Sequence, residues 1–329
     1  MRFRTFAILV VLGLGAVETW RVVTPAQAPN DAPRIVEIPA HLGLPEIAAR
    51  LWYDGAIRSP EAFVALSLAH GTYRSLRAGE YEVPPGATTS EVLKLLESGH
   101  VRRHVVLLRE GDTVAELGRA LDRERILPYA DFARAASDPV FLRVHAIEGS
   151  SVEGYLFPDT YQFVRGMTAE QIVGRMVQRM EQKLTPEMRA RATERGLTVH
   201  ALLTLASIVE REAVAPEERR LIAAVFDNRL RRGMPLQADP TVQYAVGKDR
   251  RTLTRADLAV DHPYNTYQRP GLPPGPIANP GLGSINAVLD PAPVKYLFFV
   301  KKDDQHHQFS TTIEEHNTAV TRYRLARTR

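Results

Sequence analysis

The chain has 329 residues, 44% of them hydrophobic and 24% charged, and carries a net charge of +4. That length suits two domains of ordinary globular composition, and with its Arg scattered in no dense basic tract the chain is not expected to bind nucleic acid. Cysteine is absent, which excludes disulfides, thiolate catalysis and Cys-ligated zinc.

The chain begins "MRFRTFAILVVLGLGAVETW", with Arg2 and Arg4 ahead of an apolar run from Phe6 to Val17. Thr5 to Val23 is about 19 residues, enough to cross a bilayer, and the two Arg predict a cytoplasmic N-terminus with the remainder exported. The competing reading is a cleaved signal peptide. "AQA" at Ala26–Ala28 has the form of a cleavage site, but Pro29 would follow the cut and hinder it. Residues 1–23 are therefore expected to be an uncleaved transmembrane anchor and 24–33, rich in Pro and Ala, a linker.

A repeat follows. "VEIPAHLGLPEIAARL" (Val36–Leu51) aligns without gaps to "VLLREGDTVAELGRAL" (Val106–Leu121), matching Ile38 to Leu108, Glu46 to Glu116 and Leu51 to Leu121. After a one-residue deletion Ile57 matches Ile126 and Phe63 matches Phe132. Each copy reads as strand, turn, amphipathic helix and second helix. Between them, "LRAGEYEVPPGATTSEVLKLLESG" supplies a strand, a Pro-Gly turn and a helix, with Thr89 or Ser90 as N-cap and Gly99 as its stop. Units 36–63 and 106–132, within a region spanning 34–145, resemble the LysM module, which binds polymers containing N-acetylglucosamine. Trp52, Tyr53 and Tyr73 are candidate sugar contacts; a packing module without a sugar groove is the other reading.

"EGSSVEGYLFPDTYQF" (Glu148–Phe163) marks entry into a second domain, 146–329. A helix capped by Thr168 and Gln171 runs to about Lys183, and another follows Pro186. The helix from Thr198 contains "LLTLASIVEREA" (Leu202–Ala213). At 100° per residue, Leu202, Leu205, Ala206, Val209 and Ala213 form one apolar arc, with Arg211 on the opposite, water-facing side. Glu210 falls inside the arc and Glu212 at its flank. Desolvation there would raise a carboxyl pKa and make a general acid. A buried ion pair is the structural alternative, with Arg229 of the next helix as partner, on a face shared with Ile222, Val225 and Phe226. That helix starts with Pro216 and stops at Gly233. The chain ends in a hairpin turning at Asp303–Gln305 and a last helix. His306, His307 and His316 lack metal-ligand spacing, so no metal or cofactor is expected.

Between the last two helices, "LQADPTVQYAVG" (Leu236–Gly247) and "YNTYQRPGLPPGPIANPG" (Tyr264–Gly281) set Tyr, Asn, Gln and Thr on a stiff backbone. Such residues suit a polar, uncharged, ring-shaped ligand such as a sugar. A long loop in a compact domain is usually functional, though one that simply wraps the sheet would have the same composition.

With "ASIVERE", "VFDNRLRRGMPLQADPTVQYAVG" and "EGYLFPDTY", these stretches resemble the YceG-like family of membrane-anchored endolytic murein transglycosylases over essentially the whole chain. The resemblance implies an α+β fold: a LysM-like β/α region, then a mostly helical catalytic domain with a small antiparallel sheet. It implies cleavage of the MurNAc-β-1,4-GlcNAc bond inside peptidoglycan strands to leave 1,6-anhydro ends, one Glu serving as acid and then base. In the family motif that Glu directly follows Ser-aliphatic-aliphatic, here Ser207-Ile208-Val209, which points to Glu210. Glu212 is left to orient the site or to hold Arg229. Glu153, Asp159, Asn228, Gln237, Asp239, Thr241, Tyr244, Asn265, Thr266 and Tyr267 sit in family-like motifs and are expected to line the sugar cleft or brace it. The implied place is the inner (cytoplasmic) membrane, single-pass, with the catalytic domain on the periplasmic side beside penicillin-binding peptidoglycan synthases. The rival readings are a muramidase pairing Glu210 with Asp239 or Glu212, and a non-catalytic peptidoglycan-binding scaffold.

Overall fold

A computed structural model describes residues 30–247 and 251–327, together with positions 17, 20 and 22–28. The anchor expected over 1–23 falls largely outside the described residues; among these, no helix is long and apolar enough to cross a membrane. The chain divides into two compact units. One takes residues up to Val105 together with Gln162–Met167, and the other takes Val106–Tyr161 and Thr168 onward.

In the first unit, β1 (Arg34–Ile38) and β2 (Gly79–Val83) form an antiparallel pair with Val36 opposite Tyr81. Alternation along β1 buries Val36 and Ile38 and leaves Ile35 and Glu37 outside. Helices α1 (Leu44–Tyr53), α2 (Pro60–Ala69) and α3 (Thr89–Ser98) close over that face around Leu51, Phe63, Leu93 and Leu96. The cap of α3 is Thr88, one residue before the expected position. Glu91 must stand three residues after the cap to return a hydrogen bond to its N–H, which it does at 2.8 Å. Gly99 ends α3 in the left-handed conformation, φ 66°. Glu80, 1% exposed, is held by Arg102 and by Arg165 of the returning segment, both at 3.4 Å, and by His104.

The second copy of the repeat is β3 (His104–Leu107), α4 (Val114–Arg123) and α5 (Tyr129–Ala136), the order of β1, α1 and α2. Its helices belong to the second unit, so the division between the two compact units falls within β3. The reason is packing: α5 lies against α7 (Ala169–Lys183) of that unit, burying Phe132, Ala135 and Ala136. Strand β4 (Thr160–Phe163) pairs with β3.

The second unit continues through α6 (Pro139–Val144), α7, α8 (Pro186–Glu194) and α9 (Val199–Glu212). A 3-10 turn at Pro216–Glu218 precedes α10 (Arg219–Arg231), followed by α11 (Asp239–Ala245), α12 (Arg255–Leu258) and α13 (Leu282–Leu289). Antiparallel β5 (Phe298–Lys301) and β6 (His307–Ser310), then α14 (Ile313–Arg327), complete it. Helices with three two-stranded sheets among the described residues make the fold α+β.

Helix α9 is the axis of this unit. Every residue from Leu202 to Val209 is buried. The side expected to face water is instead covered by the Pro-rich segment, which is itself buried from Gly275 to Gly281. Ser207 Oγ shows how: it donates to Thr204 O at 2.7 Å and accepts from Ile277 N–H at 3.0 Å. Further along, Gly154 has φ 81°, and a Cβ there would lie 2.3 Å from Pro276 Cβ. Gly154→Ala is expected to cost at least about 2 kcal/mol, from left-handed strain plus that clash. Thermal unfolding reads it, and a wild-type melting temperature would contradict this packing.

Candidate active site

Two carboxylates end α9, and on a helix Glu210 and Glu212 point about 200° apart. Glu210 has a side chain only 5% exposed, and both its oxygens are occupied. Oε1 accepts from Arg219 Nη2 at 3.1 Å and Oε2 from Gly281 N–H at 3.0 Å. Its partner is therefore Arg219, the first residue of α10, and not Arg229, which lies about 15 Å further along that helix. Arg219 also reaches Glu110 at 3.4 Å. Burial and the neighbouring Glu210 push the Glu110 carboxyl up, against the pull of Arg219.

Glu212 is in a different situation. It is half-buried and makes no hydrogen bond to another described residue. Desolvation, with the Asp239 carboxylate adding to it, pushes its pKa up to about 8, while Lys301, Arg211 and Arg229 pull the other way. A carboxyl so placed keeps its proton at neutral pH. Asp239 is the exposed first residue of α11, and its Oδ1 accepts from the Tyr267 hydroxyl at 2.6 Å. Burial, and then the bond to Asp239, push the Tyr267 phenol well up, so it stays a donor.

Beneath them lies Arg229, 8% exposed. Its guanidinium donates to Leu297 O at 2.6 Å, Leu236 O at 2.9 Å, Pro235 O at 3.2 Å and Gln237 Oε1 at 3.3 Å, and stacks over Phe298. Gln237 is left-handed at φ 50°, unusual for a residue with a Cβ, and its N–H donates to Thr266 O. Thr266 Oγ1 accepts from Ala238 N–H and meets Thr241 Oγ1 at 2.9 Å. Asn265 donates to Leu258 O and Val260 O, and Asn228 to Val294 O and Tyr296 O. Thr241, Asn265, Thr266 and Asn228 thus hold loops in place, while Gln237, Asp239 and Tyr267 surround Glu212 with Arg229.

Glu153 and Asp159 are braces too. Both oxygens of Glu153, 5% exposed, accept from Val114 N–H at the start of α4. Asp159 pairs with Arg179 at 2.8 Å; despite desolvation, that pair and the Thr160 N–H hold its carboxyl below the usual range. Tyr244 packs on Tyr264 with ring centroids 5.0 Å apart, near Glu153. The three histidines are dispersed: His307 bonds Glu218 at 2.6 Å, His306 faces Asp303, and His316 stacks on Phe298. Among the described residues no cluster of His, Asp and Glu could hold a metal ion.

Sequence reasoning did not single out Arg219, Lys301 or Asn279. Asn279 is fully buried: its Oδ1 accepts from Gly154 and Leu156 N–H, and its Nδ2 donates to Asp112 O and Glu153 Oε1. Its place in "IANPG" was visible; its four partners, distant in sequence, were not.

The model of the YceG-like family matches residues 36–322. The endolytic murein transglycosylase of Bacillus subtilis is 33% identical over 304 residues, which cover 88% of this chain and 84% of that one. The endolytic murein transglycosylase of Streptococcus pneumoniae is 29% identical over 89% of this chain, which spans 59% of the relative's length. The crystal structure of a YceG-like protein from Listeria monocytogenes superposes with a TM-score of 0.62 at 34% identity, covering 87% of this chain and 98% of that one.

Glu212 has a folded pKa of about 8, above its unfolded value of about 4.3. Its contribution is therefore fully present below pH 4 and is lost as pH rises toward 8. Glu212→Gln, which does not titrate, is expected to melt above wild type at pH 8, with the gap closing toward pH 5, at roughly 2–4 °C per kcal/mol. Parallel melting curves at both pH values would contradict the buried proton. Arg229→Ala strips four acceptors of one donor and is expected to cost at least about 2 kcal/mol in denaturant unfolding.

Proposed function

The chain belongs to the YceG-like family, and from that premise we propose that it is an endolytic lytic transglycosylase of peptidoglycan with Glu212 as its single acid and base. The observation that supports this choice is the Glu212 carboxyl itself, whose pKa of about 8 favours the protonated form at neutral pH and whose oxygens have no partner among the described residues. Glu210, the expected acid, has both oxygens taken by Arg219 and Gly281 and is assigned here to holding the end of α9.

In the proposed reaction Glu212 donates its proton to the glycosidic oxygen between N-acetylmuramic acid and N-acetylglucosamine. The C1–O bond breaks as the muramic C6 hydroxyl attacks C1. The resulting Glu212 carboxylate takes the C6 hydroxyl proton, which restores the acid. No water is consumed, and the products are a 1,6-anhydro-muramic end and a free 4-hydroxyl on the glucosamine. Asp239, held by Tyr267, favours the protonated form of Glu212 beside it, and Arg229 limits how far that shift goes. The substrate lies outside the cytoplasm, so an exported catalytic unit on a single-pass inner-membrane anchor, near the peptidoglycan synthases, belongs to the same proposal.

A second reading follows from Asp239: as a second carboxylate near Glu212 it could serve a hydrolase, which needs two. Mass spectrometry of glycan strands digested by the full chain separates these readings. Anhydro ends are expected; reducing ends would mean a muramidase, and no cleavage a binding scaffold. Glu212→Gln is expected to lower the rate by about 10²–10⁴-fold or more, and Glu210→Gln by far less once both are matched for folded protein. The reverse order would return the acid role to Glu210. The wild-type rate is expected to hold across neutral pH and to fall about tenfold per pH unit above pH 8, as the acid is lost.

A further inference from the structure

A cavity of ≈ 450 Å³ lies in the second unit between the first turns of α4, helix α5, the 150–153 loop and the end of α11. Its wall combines one cation, an aromatic surface and hydroxyls. The cation is Arg119, exposed on α4 and paired with no carboxylate among the described residues. The aromatic surface is the exposed Tyr129 and the half-buried Tyr244, with the buried Phe132 behind them. Gly118 lets Tyr129 and Phe132 approach α4 closely, since a Cβ there would meet Phe132 at 2.8 Å and Tyr129 at 2.9 Å. Ser150 supplies a hydroxyl. Burial and the nearby Glu153 raise the Tyr244 phenol, which remains a neutral donor.

The charge balance is specific. Glu153 already faces the positive end of α4, binding the Val114 N–H at 3.0 Å, so the helix terminus is satisfied. Arg119 is left over, a planar fork beside aromatic faces, which is the arrangement that takes a carboxylate. Helix α11 ties this cavity to the reaction centre: Asp239 at its start neighbours Glu212, and Tyr244 lies roughly 7–8 Å further along its axis. Where a muramic acid bears a peptide its lactyl carboxyl is tied up as an amide, so the N-acetylated sugars of a substituted strand themselves bring no charge to such a site. The peptide branch on each muramic acid brings carboxylates, and two or three of its residues, at about 3.3 Å each, span that distance.

We infer that this cavity binds the carboxylate-bearing peptide branch of the strand, with Arg119 as its anchor, so that the enzyme reads peptide substitution at the point of cleavage. This rests on the peptidoglycan reading above. The test measures equilibrium binding to the full chain carrying Glu212→Gln, which holds substrate without cutting it. The probes are purified disaccharide-peptide and the same disaccharide with its peptide replaced by a simple amide on the lactyl carboxyl, with and without Arg119→Gln. The peptide-bearing probe is expected to bind at least fivefold tighter, the advantage shrinking in high salt, and Arg119→Gln is expected to reduce it below twofold. Equal affinity for the two probes, an advantage that survives Arg119→Gln, or no measurable binding of either would each overturn the inference. Strand cleavage by the wild type, run alongside, keeps the two readings apart: intact cleavage with equal binding sinks the peptide site alone, and absent cleavage sinks the function.

Discussion

One buried cation organises the candidate active site. Arg229 is taken out of water and cannot lose its charge, so the fold must surround it with acceptors or fail. It does so with carbonyls from both the 235–236 turn and the approach to β5. Those two segments come from opposite ends of the long stretch between α10 and the hairpin. Meeting on one guanidinium fixes where Gln237, Asp239 and Tyr267 stand, and Arg229 also tempers the charge around Glu212. The strained backbone of Gln237 is tolerated because hydrogen bonds hold it at both its side chain and its N–H.

The two glutamates at the end of α9 show how one helix turn can place two carboxyls in different surroundings. Glu210 is enclosed with both oxygens paired; the Glu212 carboxyl, two residues on, is half-buried and pairs with no described residue. A carboxyl whose proton is held by partial burial and by the neighbouring Asp239 carboxylate is a candidate functional group. Glu210 with Arg219 and Gly281 supplies the rigidity that such an arrangement requires, tying α9 to the starts of α10 and α13.

Much of the local structure was legible. Thr168 with Gln171, the stop at Gly99, and the hairpin around Asp303–Gln305 all stand where cap and turn chemistry put them. The burial of Arg229 was visible from its place among Ile222, Val225 and Phe226. What failed was long-range. The wheel of α9 assumed one covered face and one wet one, whereas the segment around Ile277 arrives from far along the chain to cover the second. The ion partner of Glu210 was assigned to the Arg on the apolar face, when Arg219 at the start of the same helix was within reach. The repeat, expected to lie within one region over 34–145, has the helices of its second copy in the second compact unit.

The division of the chain at β3 bears on the order in which the protein can be completed. Glu80 is enclosed in the first unit, yet one of its cations, Arg165, lies in a segment made only after much of the second unit has emerged. Until then that carboxylate has Arg102 and His104 alone. The N-terminal unit therefore cannot reach its final state as the chain is synthesised, and its last ion pair closes only once the chain has passed into its neighbour and returned. A cut after Val105 would free a unit whose buried carboxylate has lost one of its three partners, so the two halves of this chain are coupled in biogenesis even where each has a core of its own.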